Sequence, residues 1–202
     1  MIVLGIDPGE RWTGYALRSG ARDLLDWRVI DRTRIAPGAE RVTQAYLGAA
    51  EANAWDLLRQ HHYDELVDTG AVTIAIEEFA DPVGFRQIPP RVLVGIGRVC
   101  GWLQRAFPTA VMVPAYVAGH EGKKGGHGRH ALLSYPDELV TKGERASAHR
   151  RGTWTLPAPQ NAEIRHARSA WDVAGDAINA ARYDSAVTAE RLRRDADYGR
   201  IA

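Results

Sequence analysis

Three short strand-like segments at the start of the chain constrain its fold most strongly. Residues 2–6 form an apolar run that stops at Asp7-Pro8-Gly9, because proline fixes φ and glycine permits a turn. Extended segments follow at residues 13–18 and 24–30, and Ser19-Gly20 marks the turn between them. Strands joined by connections this short predict an antiparallel meander.

Helical and strand-like patterns alternate in the rest of the chain. Apolar or alanine-rich residues recur at helical spacing over residues 39–61, 91–107 and 166–183. Two further strand-like runs lie at residues 73–78 and 110–114. This order predicts an α/β protein with one mixed five-stranded sheet flanked by helices, in which strands 1–3 are antiparallel and strands 4 and 5 are parallel.

One segment differs in composition from its surroundings. Residues 119–153 contain seven glycines, seven Lys and Arg residues and four histidines. We interpret this segment as a basic insertion, with a short helix at residues 130–140, in a domain that spans residues 1–183. Residues 184–202 are rich in charge, and we expect a C-terminal tail there that is helical over residues 189–197.

The composition excludes several classes of protein. The 202 residues are 45% hydrophobic and 25% charged, which is typical of a globular chain and not of a disordered one. The single cysteine, Cys100, cannot form an internal disulfide, and no apolar run approaches the ~18 residues that a membrane span needs. The first residues lack the basic start of a signal peptide. We therefore expect a cytoplasmic protein with no membrane partner.

Charge is distributed unevenly along the chain. Residues 1–85 carry 8 Lys and Arg against 14 Asp and Glu, whereas residues 86–202 carry 18 against 11. A basic half is typical of proteins with an anionic partner such as nucleic acid, since bound cations release the counterions of phosphates. Solvated helix faces rich in arginine would explain the same asymmetry, and charge alone favours neither interpretation.

Four acidic residues stand out because of their places in these patterns. Asp7 and Glu77 lie at the ends of the first and fourth strands, and the carboxyl ends of parallel strands share one edge of a sheet. Asp172 and Asp176 are four residues apart and therefore share a helix face. Carboxylates gathered in this way suit Mg²⁺ or Mn²⁺, and two such ions can hydrolyse a phosphodiester. Taken singly, each residue could instead be an ordinary turn or surface residue.

Three motifs that carry these acids resemble those of one family. Residues 5–17 (GIDPGERWTGYAL) are similar to the opening of RuvC-type Holliday-junction resolvases, which belong to the RNase H-like superfamily. Residues 75–78 (AIEE) and 169–183 (SAWDVAGDAINAARY) resemble the second acidic motif and the C-terminal acidic helix of that family. The resemblance covers residues 1–183 and implies an RNase H-like fold.

The resemblance also implies an activity. It implies a Mg²⁺-dependent endonuclease, with Mn²⁺ as a substitute ion, that binds four-way DNA junctions as a homodimer and nicks two strands symmetrically. Such an enzyme would work in a bacterial or phage-infected cell. Two ions per active site would be held by the catalytic acids Asp7, Glu77, Asp172 and Asp176. The family's Asp-Ala step stands at Asp176-Ala177, so the resemblance leaves two alternatives: Asp172 is the last ligand with Asp176 as its neighbour, or the pair has shifted to four-residue spacing.

The last helix departs from the family pattern. Ser169 stands three residues before Asp172, where the family has an acid or a histidine, and the sequence leaves open whether Ser169 or Glu78 joins the metal site. His166 precedes Asp172 by six residues and so lies off its helical face. We interpret His166 as a helix cap or a DNA contact.

The basic insertion supplies most of the candidate DNA contacts. They are Lys123, Lys124, Arg129, Lys142, Arg145, Arg150 and Arg151. Phe85 and Arg86 follow the fourth strand, where the resembling proteins carry a loop that probes the junction centre. A solvated loop, and for Phe85 a hydrophobic anchor, are the alternative interpretations.

The helix over residues 91–107 is the counterpart of the helix with which the family forms its dimer. Its Gly95, Gly97 and Gly101 would permit close approach of a second copy. Ordinary core packing explains these glycines equally well.

Other functions fit the same residues. An RNase H-like nuclease could act on other branched DNA or on RNA–DNA hybrids, and the departure at Ser169 fits a catalytically inactive junction-binding protein. Actin-like phosphotransferases also end their first strand in an Asp-x-Gly turn. That class needs two such domains and far more than 202 residues, so the length argues against it.

Overall fold

A computed structural model describes residues 1–20, 23–78, 89–114, 135–151 and 161–199. Among these residues, no helix has both the length and the apolar character that crossing a membrane requires.

The structure contains the five-stranded mixed sheet that the sequence predicts. The strands are β1 (Ile2–Asp7), β2 (Trp12–Ser19), β3 (Asp23–Asp31), β4 (Val72–Glu78) and β5 (Val111–Pro114). Their order across the sheet is β3-β2-β1-β4-β5. The pairs β1–β2 and β2–β3 are antiparallel, and the pairs β1–β4 and β4–β5 are parallel. The predicted fold class is therefore confirmed.

Helix boundaries differ from the sequence prediction. The helices are α1 (Arg32–Ile35), α2 (Gln44–Gln60), α3 (Pro90–Ala106), α4 (Lys142–Arg151) and α5 (Ala162–Gly199). The helix predicted over residues 39–61 begins only at Gln44, because the hydroxyl of Thr43 accepts the Tyr46 N–H and caps its first turn. The short helix α1 was not predicted.

The basic insertion also folds differently from the prediction where the structure describes it. A 3₁₀ turn occupies Asp137–Leu139, and the helix of this segment is α4, which lies further along the chain than the predicted residues 130–140. Thr141 and Glu144 explain the start of α4, because each side chain bonds the backbone N–H of the other in a capping box.

The last helix is longer than the predicted residues 166–183. It continues without a break to Gly199, so the predicted boundary between domain and tail, at residues 183 and 184, falls inside α5.

The two faces of the sheet bury different helices. Leu4 and Ile6 of β1 belong to a large core with α2 and α3. Because side chains alternate along a strand, Val3 and Gly5 point to the other face, which α5 covers.

Two glycines let α5 lie directly on the sheet. A Cβ at Gly5 would sit 2.0 Å from the carbonyl oxygen of Ala170, and one at Gly14 would sit 2.3 Å from that of His166. Gly14 is paired with Asp7 across β1 and β2. The N-terminal part of α5 therefore lies over the end of β1 that carries Asp7.

Candidate active site

Three carboxylates from remote parts of the chain meet at one edge of the sheet. The parallel pair Ile6–Ile76 places the next residues, Asp7 and Glu77, side by side on β1 and β4. The Glu77 and Asp7 carboxyl groups share a hydrogen bond, and the charge of Asp172 on α5 acts on Glu77 as well. Asp7 is 7% exposed and Asp172 8% exposed. The structure thus brings together three of the four predicted catalytic acids.

The pKa of Glu77 is shifted by its surroundings. Burial is the largest influence and raises the pKa of Glu77 well above its ordinary value, and the negative charge and hydrogen bond of Asp7 raise it further. A hydrogen bond from Ser169 acts in the opposite direction, because a hydroxyl donor stabilises the carboxylate. Two neighbouring carboxyl groups can share a hydrogen bond only when one of them holds a proton.

Raising the pH is therefore expected to destabilise the metal-free protein through Glu77. The folded state keeps a proton on Glu77 that the unfolded chain releases near its ordinary pKa of about 4.3. Stability is thus lost as the pH rises from that value through the raised pKa of the folded state. Glu77→Gln should remove this loss, so its free energy of unfolding should exceed that of the wild type by a margin that grows with pH.

Urea unfolding in EDTA at about pH 5 and about pH 8 measures that margin. Glu78→Gln is the matched control, because Glu78 is the next residue along β4 and its side chain is exposed. A margin for Glu77→Gln that shrinks with rising pH would contradict the assignment of the proton.

His166 contacts Asp7 directly and lies inside α5, which begins at Ala162, so it is not the helix cap that was one of its two interpretations. Its Nδ1 lies 2.7 Å from Oδ2 of Asp7. Helical spacing places His166 off the face of Asp172, so the contact was not expected. His166 reaches Asp7 because α5 lies close to the sheet at Gly14. The sequence feature that could have indicated this contact is Gly14, which pairs with Asp7 on the neighbouring strand.

Two further side chains hold the carboxylates. The hydroxyl of Tyr135 donates to Oδ2 of Asp172 at 2.8 Å, and Ser169 bonds Glu77. Ser169 therefore joins the group, whereas Glu78 is exposed. Sequence reasoning missed Tyr135, since nothing in its surroundings marks it as a partner of an acid 37 residues away.

Asp176 lies beside Arg18, further along α5. The negative charges of Asp172 and Asp176 both act on the Arg18 guanidinium, whose pKa burial lowers. Arg18 pairs with Val3, near the opposite end of β1 from Asp7. Asp176 follows His166 by ten residues, or about 15 Å along the helix axis. The structure thus does not bring the fourth predicted acid to Asp7.

Comparison with solved structures identifies the fold. A T. thermophilus RuvC in complex with Holliday junction substrate matches at a TM-score of 0.50 and 17% identity, over 90% of this chain and 96% of that chain. The chain has the RuvC fold. A second Thermus thermophilus RuvC structure matches over the same shares, at a TM-score of 0.48 and 16% identity. Neither a protein-family model nor a curated protein matches the sequence.

On this RuvC fold, the donor set suits a divalent cation. Carboxylate oxygens are the ligands that Mg²⁺ prefers, and a cation would relieve the repulsion that keeps a proton between Glu77 and Asp7. In the described parts of the chain, no three His, Cys, Asp or Glu side chains are already arranged to hold a metal ion. His166 and Tyr135 each engage one of these carboxylates.

The predicted DNA contacts divide between described and undescribed parts of the chain. Lys142, Arg145 and Arg150 lie on α4, and Arg151 is its last residue. Lys142 and Arg150 are exposed, and Arg145 forms an ion pair with Asp137. Five further predicted contacts lie outside the described residues: Phe85, Arg86, Lys123, Lys124 and Arg129.

Proposed function

We propose that this chain is a metal-dependent, structure-selective DNA endonuclease that resolves four-way (Holliday) junctions by paired nicks. The observation that carries the proposal is the convergence of Asp7, Glu77 and Asp172 at one edge of a RuvC fold. Carboxylates so gathered suit metal-assisted phosphodiester hydrolysis, and the T. thermophilus RuvC of the same fold is in complex with Holliday junction substrate.

Asp7, Glu77 and Asp172 would hold the Mg²⁺ ions, two per site, and Mn²⁺ would substitute. When bound there, the ions would supply a nucleophilic water at neutral pH and stabilise the charge of the leaving oxygen. In this proposal Asp176 holds no ion, and its charge acts on Arg18.

Neighbouring side chains would fix the carboxylates in position. His166 orients Asp7 through its Nδ1 contact, Ser169 donates to Glu77, and Tyr135 donates to one oxygen of Asp172. Each partner removes rotational freedom from one carboxylate before substrate binds, which is the role that outer partners of metal ligands commonly serve.

The basic residues would bind the phosphate backbone of the junction. Lys142 and Arg150 are exposed cations on α4, a helix made mostly of polar residues. Contacts of this kind position DNA without reading its sequence and weaken as salt rises. The five contacts outside the described residues stay part of the proposal on sequence grounds alone.

A homodimer would place two such sites on one junction, as a two-fold assembly requires for paired nicks. On α3, Val94 is 63% exposed, and a Cβ added at Gly97 or Gly101 would meet no described atom within 4 Å. This face of α3 therefore permits close approach of a second copy. Gly95 instead packs against Glu10, so core packing accounts for that glycine.

Cleavage of three labelled substrates in Mg²⁺ tests the proposal. We expect the wild-type protein to nick a four-way junction on two opposed strands and to leave a flap and an RNA–DNA hybrid largely intact. Light scattering of the same preparation should give the mass of a dimer. The reaction should stop in EDTA and resume when Mg²⁺ or Mn²⁺ is added.

Other outcomes would identify other functions. Preferred cleavage of the hybrid or the flap would replace the resolvase by a different RNase H-like nuclease. Tight junction binding without nicking in either metal would identify a catalytically inactive junction-binding protein.

A further inference from the structure

A fully buried arginine links the acidic group to the basic helix α4. Arg168 lies on α5 one turn before Asp172, and its side chain is 0% exposed. Its Nη1 and Nη2 donate to the two carboxylate oxygens of Glu144 at 3.1 and 2.7 Å. Its Nε donates to the carbonyl oxygen of Leu139 at 2.6 Å. A buried guanidinium is stable only when paired in this way, so these contacts must form together.

Glu144 can cap the first turn of α4 even in the absence of Arg168. Its carboxylate already accepts the N–H and the hydroxyl of Thr141, which completes a capping box. Burial alone would raise the pKa of Glu144, but the hydrogen bonds from Arg168 and Thr141 outweigh it and lower the pKa. Arg168, the second partner of the Glu144 carboxylate, is thus not needed to begin the helix. It holds the first turn of α4 against α5.

The same arginine also supports the contact with the acidic group. The Arg168 guanidinium carbon lies 5.1 Å from the centroid of the Tyr135 ring, and the hydroxyl of Tyr135 donates to Asp172. Contacts therefore run without interruption from α4 through Glu144, Arg168 and Tyr135 to a carboxylate of the candidate site.

We infer that Arg168 and Tyr135 are positioning residues, which hold α4 and its DNA-binding cations at a fixed place relative to Asp172. This inference rests on the proposed nuclease function. Its consequence is that the phosphate bound by α4 and the phosphate that is cut stand a fixed distance apart. Loosening the link should then change where and how fast the junction is cut more than how tightly it is bound.

Two variants test the inference. Tyr135→Phe keeps the ring on Arg168 and removes only the hydroxyl. We expect it to lower kcat about 10–100-fold, as loss of an outer partner of a metal ligand does, with the KM for the junction nearly unchanged. Tyr183→Phe is the matched control, because Tyr183 is an exposed tyrosine on α5, the helix that carries Asp172.

The second variant replaces both members of this ion pair, because removing one alone would leave the other unpaired. In Arg168→Met with Glu144→Gln, the glutamine can still complete the capping box. We expect junction affinity within about twofold of wild type, since the exposed cations of α4 remain. We expect cuts to spread over neighbouring phosphates, and amide exchange over residues 142–151 to rise about tenfold or more, since the three hydrogen bonds of Arg168 are all lost. Arg182→Met, at an exposed arginine of α5, is the control.

The outcomes separate this inference from the proposed function. If the wild type cleaves and both variants match it in kcat and cut position, the positioning role is wrong and the nuclease stands. If the wild type cleaves no substrate, the proposed nuclease is wrong, and the exchange ratio still decides whether Arg168 fixes α4. If the double variant does not fold, kcat of Tyr135→Phe alone decides the inference.

Discussion

Asp7→Asn is expected to lower the rate of junction cleavage by about 10³-fold or more. Asp7 stands between Glu77 and His166, so it is the carboxylate best placed to hold an ion shared with its neighbours. Asparagine keeps the shape of the side chain and removes its charge. Loss of metal-assisted charge stabilisation is worth several kcal/mol, and each ~1.4 kcal/mol is a factor of ten. Single-turnover cleavage in Mg²⁺ measures the loss, and junction binding in EDTA should persist.

Asp176→Asn is the matched control for that experiment. It makes the same chemical change on the same fold, but at an acid that lies beside Arg18. We expect it to cleave at close to the wild-type rate. A loss as large as that of Asp7→Asn would return Asp176 to the metal site, as the sequence analysis predicted, and normal cleavage by Asp7→Asn would remove Asp7 from it.

The sequence was sufficient to predict the part of the site that the strands carry. Asp7 and Glu77 end short apolar runs, and the element order makes those runs parallel neighbours, so two strand-end acids meet whatever the side chains elsewhere do. Asp172 could be added because its helical pattern of small apolar residues places it beside the core, next to Val173. These inferences need only periodicity and order along the chain.

The remaining site residues depend on tertiary distances that periodicity does not encode. His166 reaches Asp7 only because α5 rests on Gly14, and Tyr135 reaches Asp172 from a segment whose basic composition pointed elsewhere. Asp176 is the opposite case, and its place in the metal site stays a prediction. Four-residue spacing places it on the face of Asp172, but the antiparallel run of α5 over β1 carries it away from Asp7.

The predicted starts of two helices differ from the observed ones because capping side chains, which periodicity does not reveal, set where the helices begin. The side chains of Thr43 and Thr141 each accept a backbone N–H at the first turn of a helix. Such a cap fixes the start of the helix even where a helical pattern extends further towards the N-terminus. The helices predicted over residues 39–61 and 130–140 therefore begin later than expected, at Gln44 and Lys142.

Gly5→Ala is expected to destabilise the protein by about 3 kcal/mol, the upper part of the range for overpacking. The added Cβ would sit 2.0 Å from the carbonyl oxygen of Ala170 and 2.8 Å from the backbone nitrogen of Ala174. Both atoms belong to the backbone of α5, so no side-chain rotation relieves the clash and the helix must lift. A loss of this size lowers the midpoint of thermal unfolding by about 6–12 °C in a chain of this length.

Gly48→Ala gives the comparison that isolates the clash. Gly48 lies inside α2, and a Cβ there would meet no described atom within 4 Å, so alanine should stabilise the helix by up to about 1 kcal/mol. The two variants thus shift the unfolding midpoint in opposite directions. An unfolding midpoint for Gly5→Ala equal to the wild-type value would mean that α5 does not lie on β1.

The effect of Gly5→Ala should extend from stability to the site, because α5 carries His166, Ser169 and Asp172. Lifting the helix withdraws all three from Asp7 and Glu77 at once, whereas the strand-end pair stays in register. Cleavage by the protein that remains folded, measured well below its unfolding midpoint, should therefore fall. If folded Gly5→Ala cleaved at the wild-type rate, the contribution of α5 to catalysis would be excluded, and β1 and β4 would have to form the site without it.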